Sequence, residues 1–302
     1  MYHIIASLLF DVLRLSVWLG LLVLIFVPLE RLSPQNRQKV FRHEFLTDLL
    51  YYFLNSLLPK MLLALPLSIL AWVIHRLEPT GLYAGVASLS VGSRFFLAII
   101  VGEFGGYWGH RWMHEFPVLW QFHAIHHSAK EMDWLVNTRA HPLDIFFIRL
   151  CGLVPIYILG LAQPTGQRVD IVPLLYVVLG TVWSFFVHAN LCWRFGWLEK
   201  LVATPAFHHW HHTNDEAQYF DKNYAALFPW VDKIFGTFYL PRNRWPKQYG
   251  IDEPTASSLT GQLLQPLPRS ASSPITGPSA DESGDESQLI DSQSIEECNR
   301  SG

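Results

Sequence analysis

The stretch LSVWLGLLVLIFV, residues 15–27, carries no charged residue, and with its flanks it reaches the roughly 20 residues that a helix needs to cross a bilayer. Similar apolar runs occupy 61–74, 95–108, 145–161 and 171–187. Half of the chain is apolar, so too little polar sequence remains to cover these runs in a soluble core. Backbone polar groups in hydrocarbon must be satisfied internally, and the runs therefore predict membrane-spanning helices.

The fold class that follows is an all-α integral membrane protein with four to five transmembrane helices. We expect helices over about 4–28, 48–76, 94–114, 142–162 and 169–190. The 48–76 segment is interrupted near Pro59, so it is either one kinked span or two halves, and the number of spans stays open. The stretch 77–93, rich in Gly, Pro and Ser, is predicted to be a loop.

Lysine and arginine are unevenly distributed between the connecting segments. They concentrate in 29–47, in 111–141 and after residue 190, whereas 77–93 and 163–168 are nearly bare. The positive-inside rule therefore predicts that the three basic regions form a cytoplasmic helical cap, with the N-terminus on the opposite side. We expect an N-terminal transmembrane region over 1–90, a catalytic domain over 91–241 and a disordered cytoplasmic tail over 251–302, because the tail is rich in Ser, Pro and acidic residues and lacks aromatics.

Histidine is concentrated in short boxes. One is His110-Arg-Trp-Met-His114, the next is His123-Ala-Ile-His126-His127, and the third is His208-His209-Trp-His211-His212. Residues i, i+3 and i+4 share one helix face, so each box can turn two or three imidazoles toward one point. The chain has three scattered cysteines and no CxxC motif, so thiolate ligation and structural disulfides are not expected.

Neutral imidazole is a common metal ligand, and the number of imidazoles indicates how many ions they serve. Eight from the boxes exceed what one four-coordinate zinc uses, but they suit two ions with open positions for O2. His188, at the predicted membrane exit of the last helix, adds a ninth candidate. The predicted metal ligands are His110, His114, His123, His126, His127, His188, His208, His211 and His212.

Other residues are candidates to orient the ligating rings. A histidine that binds a metal through one nitrogen usually donates the N–H of its other nitrogen to a carboxylate or carbonyl. Glu103 lies seven residues before His110 and can share its helical stripe, although a partner on another helix would equally satisfy it. His141, His209 and Asp232 are the further candidates. Asp133, Asp215 and Asp221 are weaker ones, because such aspartates more often cap helices or face solvent.

The ordered set of motifs resembles the fatty acid hydroxylase/sterol desaturase superfamily, most closely its sterol C5-desaturase-like branch. The similarity covers roughly 90–241. Besides the boxes it includes Arg139-x-His141-Pro142, His188-Ala-Asn190, Asp221-Lys-Asn223-Tyr224 and Trp230-x-Asp232-x2-Phe235-Gly236-Thr237. Where that family usually has Asp before the first box, this chain has Glu103, which keeps the charge.

The resemblance implies a non-haem di-iron site, with the nine histidines as ligands, that uses O2 and two electrons to desaturate or hydroxylate a lipid. Family substrates include sterols, fatty acyl chains, sphingoid bases and alkylglycerols. The sequence has no haem-binding or dinucleotide motif, so we expect an external electron donor, of the cytochrome b5 or ferredoxin type with its reductase. The expected location is the endoplasmic reticulum in a eukaryote or the inner membrane in a bacterium, and no nucleic-acid partner is expected.

Three alternatives remain. A hydroxylase or monooxygenase of alkylglycerol, sphingoid or other lipids would use the same site as a desaturase. A metal transporter would place histidines and acids along a path inside the spans, whereas here the histidines gather at one predicted face. A pseudo-enzyme would have lost box histidines, and none is missing.

Overall fold

The computed structural model describes residues 2–77, 80–162, 171–242 and 244–266. These residues form helices and connecting loops, with no β-strand among them. The all-helical prediction is therefore confirmed for the described part of the chain. The predicted turn at 163–167 and the first residues of the helix predicted from 169 lie outside it.

The first two helices are long and apolar. α1 spans Tyr2–Leu32 and α2 spans Phe45–Leu77, and each contains a window suited to crossing a bilayer. The segment around Pro59 is neither broken nor divided, because α2 continues through both Pro59 and Pro66. Proline is tolerated in membrane helices because neighbouring groups can satisfy the backbone atoms that it leaves free.

A sharp bend separates the next two helices. α3 spans Thr80–Ser88 and α4 spans Val91–Glu115, and they meet at 118°. The prediction of a loop over 77–93 is therefore wrong for most of that segment. Two contacts stabilise the extra helix: Val86 packs against the apolar cluster that includes Ile156, and the hydroxyl of Tyr83 donates a hydrogen bond to the carbonyl of Ile158. Ser90 ends the bend by accepting the backbone N–H of Ser93 at the start of α4.

The remaining apolar helices are shorter than predicted. After α5 (Pro117–His127), α6 spans Pro142–Ile158 and α7 spans Val172–His188, with 17 residues each. Seventeen residues extend about 25 Å, less than the roughly 30 Å of a bilayer core. Among the described helices, α1 and α2 are both long and apolar enough to cross a membrane, and the bent pair α3–α4 would make a third if it forms one span. The helices indicate a membrane protein. By length and composition they account for two or three spans, fewer than the predicted four to five.

Glycines let α4 lie close to its neighbours. A Cβ on Gly105 would stand 2.2 Å from the carbonyl oxygen of Cys151 in α6, and one on Gly109 would stand 2.8 Å from the Cys151 Cβ. A Cβ on Gly102 would meet the hydroxyl of Tyr176 in α7 at 2.5 Å. Small residues that allow close backbone approach are typical of helix interfaces in membranes. α4 is thereby fixed between α6 and α7.

The three basic segments meet at one end of this bundle. In the 29–47 connector, Arg42 bonds Asp133 at 2.7 and 2.8 Å, and Gln38 donates to the carbonyl of Met132. Asn190, just beyond α7, bonds the backbone of Asn36. These contacts agree with the prediction that the three segments share one side of the membrane.

Short helices complete this end: α8 is Pro205–His211, α9 is Pro229–Phe235 and α10 is Leu259–Leu264. Ordered structure thus extends beyond residue 251, where the sequence predicted that a disordered tail begins. Ser258 caps α10, and the carbonyl of Leu263 accepts a hydrogen bond from His141 Nε2. These bonds attach residues up to 266 to the bundle, and the rest of the predicted tail lies outside the described residues.

Candidate metal centre

The structure brings all nine predicted histidines together in two adjacent groups. Within each group, one ligand atom per residue lies within 4.8 Å of every other. The first group contains His110, His114, His123, His127 and His211, and the second contains His126, His188, His208 and His212.

Helix geometry explains how the boxes divide. In α5, His123 and His127 are one turn apart and face the first group, whereas His126 faces the second. α8 divides in the same way, with His211 in the first group and His208 in the second. The groups are therefore neighbours that share two helices, an arrangement suited to a pair of ions.

Backbone carbonyls determine which ring nitrogen carries the proton in four of these histidines. The Nδ1 atoms of four histidines lie 2.7–2.8 Å from a carbonyl oxygen, to which a protonated Nδ1 donates. The pairs are His110 with Tyr224, His126 with Arg139, His188 with Ser184, and His211 with Lys222. A neutral ring with its proton on Nδ1 has a bare lone pair on Nε2, which is the form that binds a metal.

These Nε2 atoms face one another. His126 Nε2 and His188 Nε2 are 3.2 Å apart, and His110 Nε2 and His123 Nε2 are 3.1 Å apart. Both protons of the first pair are held at Nδ1, so no hydrogen remains for a bond between the Nε2 atoms. The Nε2 atoms of His114 and His211 are buried without any partner. Facing lone pairs repel unless a cation lies between them, so the donor set fits metal ions.

Burial keeps the rings neutral. Removal from water lowers the pKa of His123 and of His126 to about 3. The pKa of His127 is likewise lowered by burial and then by the neighbouring His211, and that of His212 by burial and then by His127. At neutral pH these imidazoles are therefore uncharged, and each has one bare nitrogen able to bind a metal.

Comparison with known proteins identifies the part of the chain that holds this centre. Residues 95–237 match the family model described as fatty acid hydroxylase. This segment is similar to the fatty acid hydroxylase family. The resemblance predicted from the histidine boxes is thereby confirmed, and relatives with sterol desaturase names are among the matches.

Three relatives illustrate the range of the fatty acid hydroxylase similarity. Ornithine lipid hydroxylase OlsE of Rhizobium tropici is 34% identical over 60% of this chain and 52% of its own. Alkylglycerol monooxygenase of Homo sapiens is 30% identical over 53% of this chain and 33% of its own. Delta(7)-sterol 5(6)-desaturase of Aspergillus fumigatus is 31% identical over 51% of this chain and 50% of its own. The matches thus span a third to a half of these relatives. No solved structure matches.

Two carboxylates touch candidate ligand rings in the 95–237 segment. Asp144 Oδ2 lies 3.1 Å from His123 Nδ1, and Asp221 Oδ1 lies 3.2 Å from His114 Nδ1. Asp221 was among the weaker sequence candidates, whereas Asp144 was not recognised as one. The available signal for Asp144 was its place in the first turn of the helix that follows His141. The four backbone carbonyls had no sequence signal, because every residue has one.

Glu103 does not hold a ligating ring, contrary to the sequence expectation. Its Oε1 accepts the backbone N–H groups of Leu227 and Phe228, each at 2.8 Å. It lies two helical turns from His110, too far to reach that imidazole, and the segment before α9 supplies its partners instead. The alternative that another part of the protein satisfies Glu103 is therefore correct.

The other three candidates surround the centre without touching a ligating nitrogen. His141 caps α6 by accepting the N–H of Leu143. His209 is held between the hydroxyl of Tyr249 and the carbonyl of Ala189, and burial lowers its pKa to about 4. Asp232 accepts the N–H groups of Tyr224 and Ala225. Asp232 therefore contributes to the site indirectly: it holds the backbone of Tyr224, whose carbonyl is the acceptor for His110 Nδ1.

Proposed function

We propose that the protein is a membrane-bound, non-haem di-iron oxidoreductase that uses O2 and two external electrons to hydroxylate or desaturate a lipid. The observation that carries the proposal is the pair of histidine groups, whose bare Nε2 atoms face one another in a buried site. When bound, iron supplies the redox chemistry that an unactivated C–H bond requires and that side chains lack. The nine histidines would hold two ions, five ligands in one group and four in the other.

Iron is favoured over zinc for a chemical reason. Imidazole suits several transition metals, but zinc has no redox chemistry. The relatives are named for hydroxylation, monooxygenation and desaturation, all of which are oxidations. A redox-active metal is therefore the consistent choice.

The protein's own residues position and enclose the site. Asp144 and the backbone carbonyls would keep each proton on Nδ1, so that Nε2 stays free for the metal. Trp120 packs on His114 and His127, with ring centroids 5.2 and 5.6 Å away, and would give the substrate an apolar wall. The site lies at the ends of α4 and α7, so a lipid could reach it sideways from the bilayer.

Hydroxylation is the first candidate reaction and desaturation the second. The ornithine lipid hydroxylase has the highest identity of the three relatives described, and the sterol desaturase is only slightly less similar. Both reactions begin with cleavage of a C–H bond. In hydroxylation the substrate then gains an oxygen, whereas in desaturation it loses a second hydrogen, and the position of the substrate in the site decides between them. We infer that the substrate is a membrane lipid with a long apolar portion, either an acyl or alkyl lipid or a sterol.

The proposed arrangement in the membrane follows the basic segments. Five spans, with α6 and α7 both packed against α4, would leave the metal centre in a cytoplasmic cap. The membrane would be the endoplasmic reticulum in a eukaryote or the inner membrane in a bacterium. A cytochrome b5 or ferredoxin with its reductase would deliver electrons to this cap.

Lipid profiling tests the reaction. Cells that express the protein should contain a lipid that has gained one oxygen, for a hydroxylase, or lost two hydrogens, for a desaturase, relative to cells without it. The matched controls are His126→Ala and His211→Ala, one from each group, which should abolish the product and reduce bound iron in the purified protein. Product formed by either variant would refute the di-iron assignment. Full metal loading without any changed lipid would instead favour a transporter or a pseudo-enzyme.

A further inference from the structure

A patch of large apolar side chains lies on the outside of the segment that follows α7. It is formed by the 3-10 helix Gly196–Lys200 with its flanks and by α9, which pack against each other. We call it the apolar patch. Its exposed residues are Trp197 (69%), Ile234 (61%), Leu201 (46%), Leu198 (43%) and Phe195 (37%). Contiguous exposed apolar surface of this kind marks an interaction site.

The α9 half of the patch lies on the membrane side of the metal centre. Leu227 and Phe228, just before α9, donate their backbone N–H groups to Glu103 of α4. Glu103 precedes His110 by seven residues, which places it about 10 Å further toward the middle of the membrane. α9 therefore begins closer to the middle of the membrane than the histidine groups are.

A second contact fixes the depth of the other half. The indole N–H of Trp183 in α7 donates to the carbonyl of Ala203 at 3.1 Å. Trp183 lies five residues before the end of α7 at His188, about 7–8 Å along the helix. Both halves of the patch thus stand beside apolar helices, and neither is level with the histidine groups at the helix ends.

Two lysines flank the apolar side chains. Lys200 and Lys233 are exposed, and Lys233 Nζ lies 4.7 Å from the centre of the Phe238 ring. The nearby carboxylate of Glu199 is occupied by Arg194, at 2.9 and 3.1 Å. No ion pair to either lysine occurs within the described ranges. Lysines around an apolar surface suit the phosphates of a bilayer, because their stems lie along hydrocarbon while the ammonium groups reach the headgroups.

We propose that the apolar patch inserts into the cytoplasmic leaflet of the bilayer, with Trp197 and Ile234 among the acyl chains and with Lys200 and Lys233 on the phosphates of anionic lipids. The occupant is the bilayer that would surround α4 and α7 in the proposed arrangement, so the patch would continue their lipid-facing surface. This refines the expectation that the region after residue 190 lies on the cytoplasmic side. The part of the cap that forms the apolar patch would lie in the membrane interface beside the metal centre.

Depth measurements on spin-labelled protein test the insertion. Full-length chain without its three native cysteines would carry a nitroxide at Trp197→Cys or Ile234→Cys, in vesicles of phosphatidylcholine containing phosphatidylglycerol. We expect labels in the patch to collide more with oxygen, which concentrates in lipid, than with a water-soluble nickel complex. Nickel accessibility at the patch equal to that at an aqueous control position would overturn the proposal.

The aqueous control is Gln218→Cys. Gln218 is exposed, and nearby Asp221 reaches His114 at the far end of α4, about 16 Å along the helix from the level of Glu103. Its label should favour the nickel complex. Metal bound by each labelled protein, compared with the unlabelled chain, verifies folding without any assay of the reaction. The outcome is therefore independent of the proposed function.

A lysine variant tests the lipid charge. Lys200→Gln combined with Lys233→Gln should move a label at residue 197 toward water in vesicles that contain phosphatidylglycerol. The same variant should leave its depth unchanged in pure phosphatidylcholine. An unchanged depth in both kinds of vesicle would show that the lysines do not bind phosphates.

Discussion

An imidazole presents a free nitrogen to a metal only when its other nitrogen holds the proton, and this chain controls that proton with several kinds of acceptor. His126 and His211 use backbone carbonyls, whereas His123 uses the carboxylate of Asp144. A carboxylate also places a negative charge behind the ring and so strengthens it as a ligand. Because Asp144 accepts through its side chain, mutation can remove this acceptor, which is not possible for a backbone carbonyl.

Replacement of Asp144 by Leu should lower metal affinity by about 10- to 100-fold, the usual cost of losing a partner behind a ligating histidine. Asp144→Asn keeps an acceptor oxygen, so its loss should be smaller. Competition with a chelator on the purified protein measures both. The exposed Asp252, which bonds Asn214, gives a control as Asp252→Asn with unchanged affinity. Wild-type affinity in Asp144→Leu would show that His123 needs no such partner.

At the scale of elements, the distance between α4 and α6 determines whether the boxes meet. α4 carries the first box, and α6 carries Asp144 behind the second. Gly105 and Gly109 allow the two backbones to touch at Cys151, with no room for a side chain. Any residue larger than glycine at Gly105 must therefore move one helix relative to the other.

Gly105→Ala should destabilise the protein by roughly 1–3 kcal/mol, the usual cost of overpacking, and should reduce bound metal. The added Cβ would stand 2.2 Å from a backbone oxygen that cannot rotate away. Thermal unfolding in detergent and metal analysis provide the readouts. Gly106→Ala is a matched control on the same helix, because nothing lies within 4 Å of its Cβ. If both variants behaved alike, helix propensity and not packing would be the cause.

At the scale of the whole molecule, a buried ionic network connects the N-terminal helices to the metal centre. Asp48 of α2 accepts Arg42 at 2.6 Å and Arg139 at 2.6 and 3.1 Å, and Arg139 also bonds Glu44. The carbonyl of Arg139 is the acceptor for His126. α2 and the connector before it thus stabilise the loop that orients a candidate ligand.

Asp48→Asn should destabilise the protein by about 3–5 kcal/mol, because two buried guanidinium groups lose the charge that they share. We expect earlier thermal unfolding and weaker metal retention, measured on the purified full chain. The exposed pair of Arg111 and Glu115 provides a comparison. Glu115→Gln should change stability by no more than about 1 kcal/mol, as is typical of surface ion pairs. Equal effects of the two changes would argue against a structural role for the network.

The sequence by itself determined the helical class, the membrane association and the nine histidines that converge. Apolar runs and box spacing are local properties, so they can be read without coordinates. The tertiary structure alone decided which histidines share a group, and that Asp144 and the backbone carbonyls orient the rings while Glu103 does not. It also showed the helix within 80–88 and the ordered segment up to 266. These features depend on contacts between residues far apart in the chain, which neither periodicity nor composition encodes.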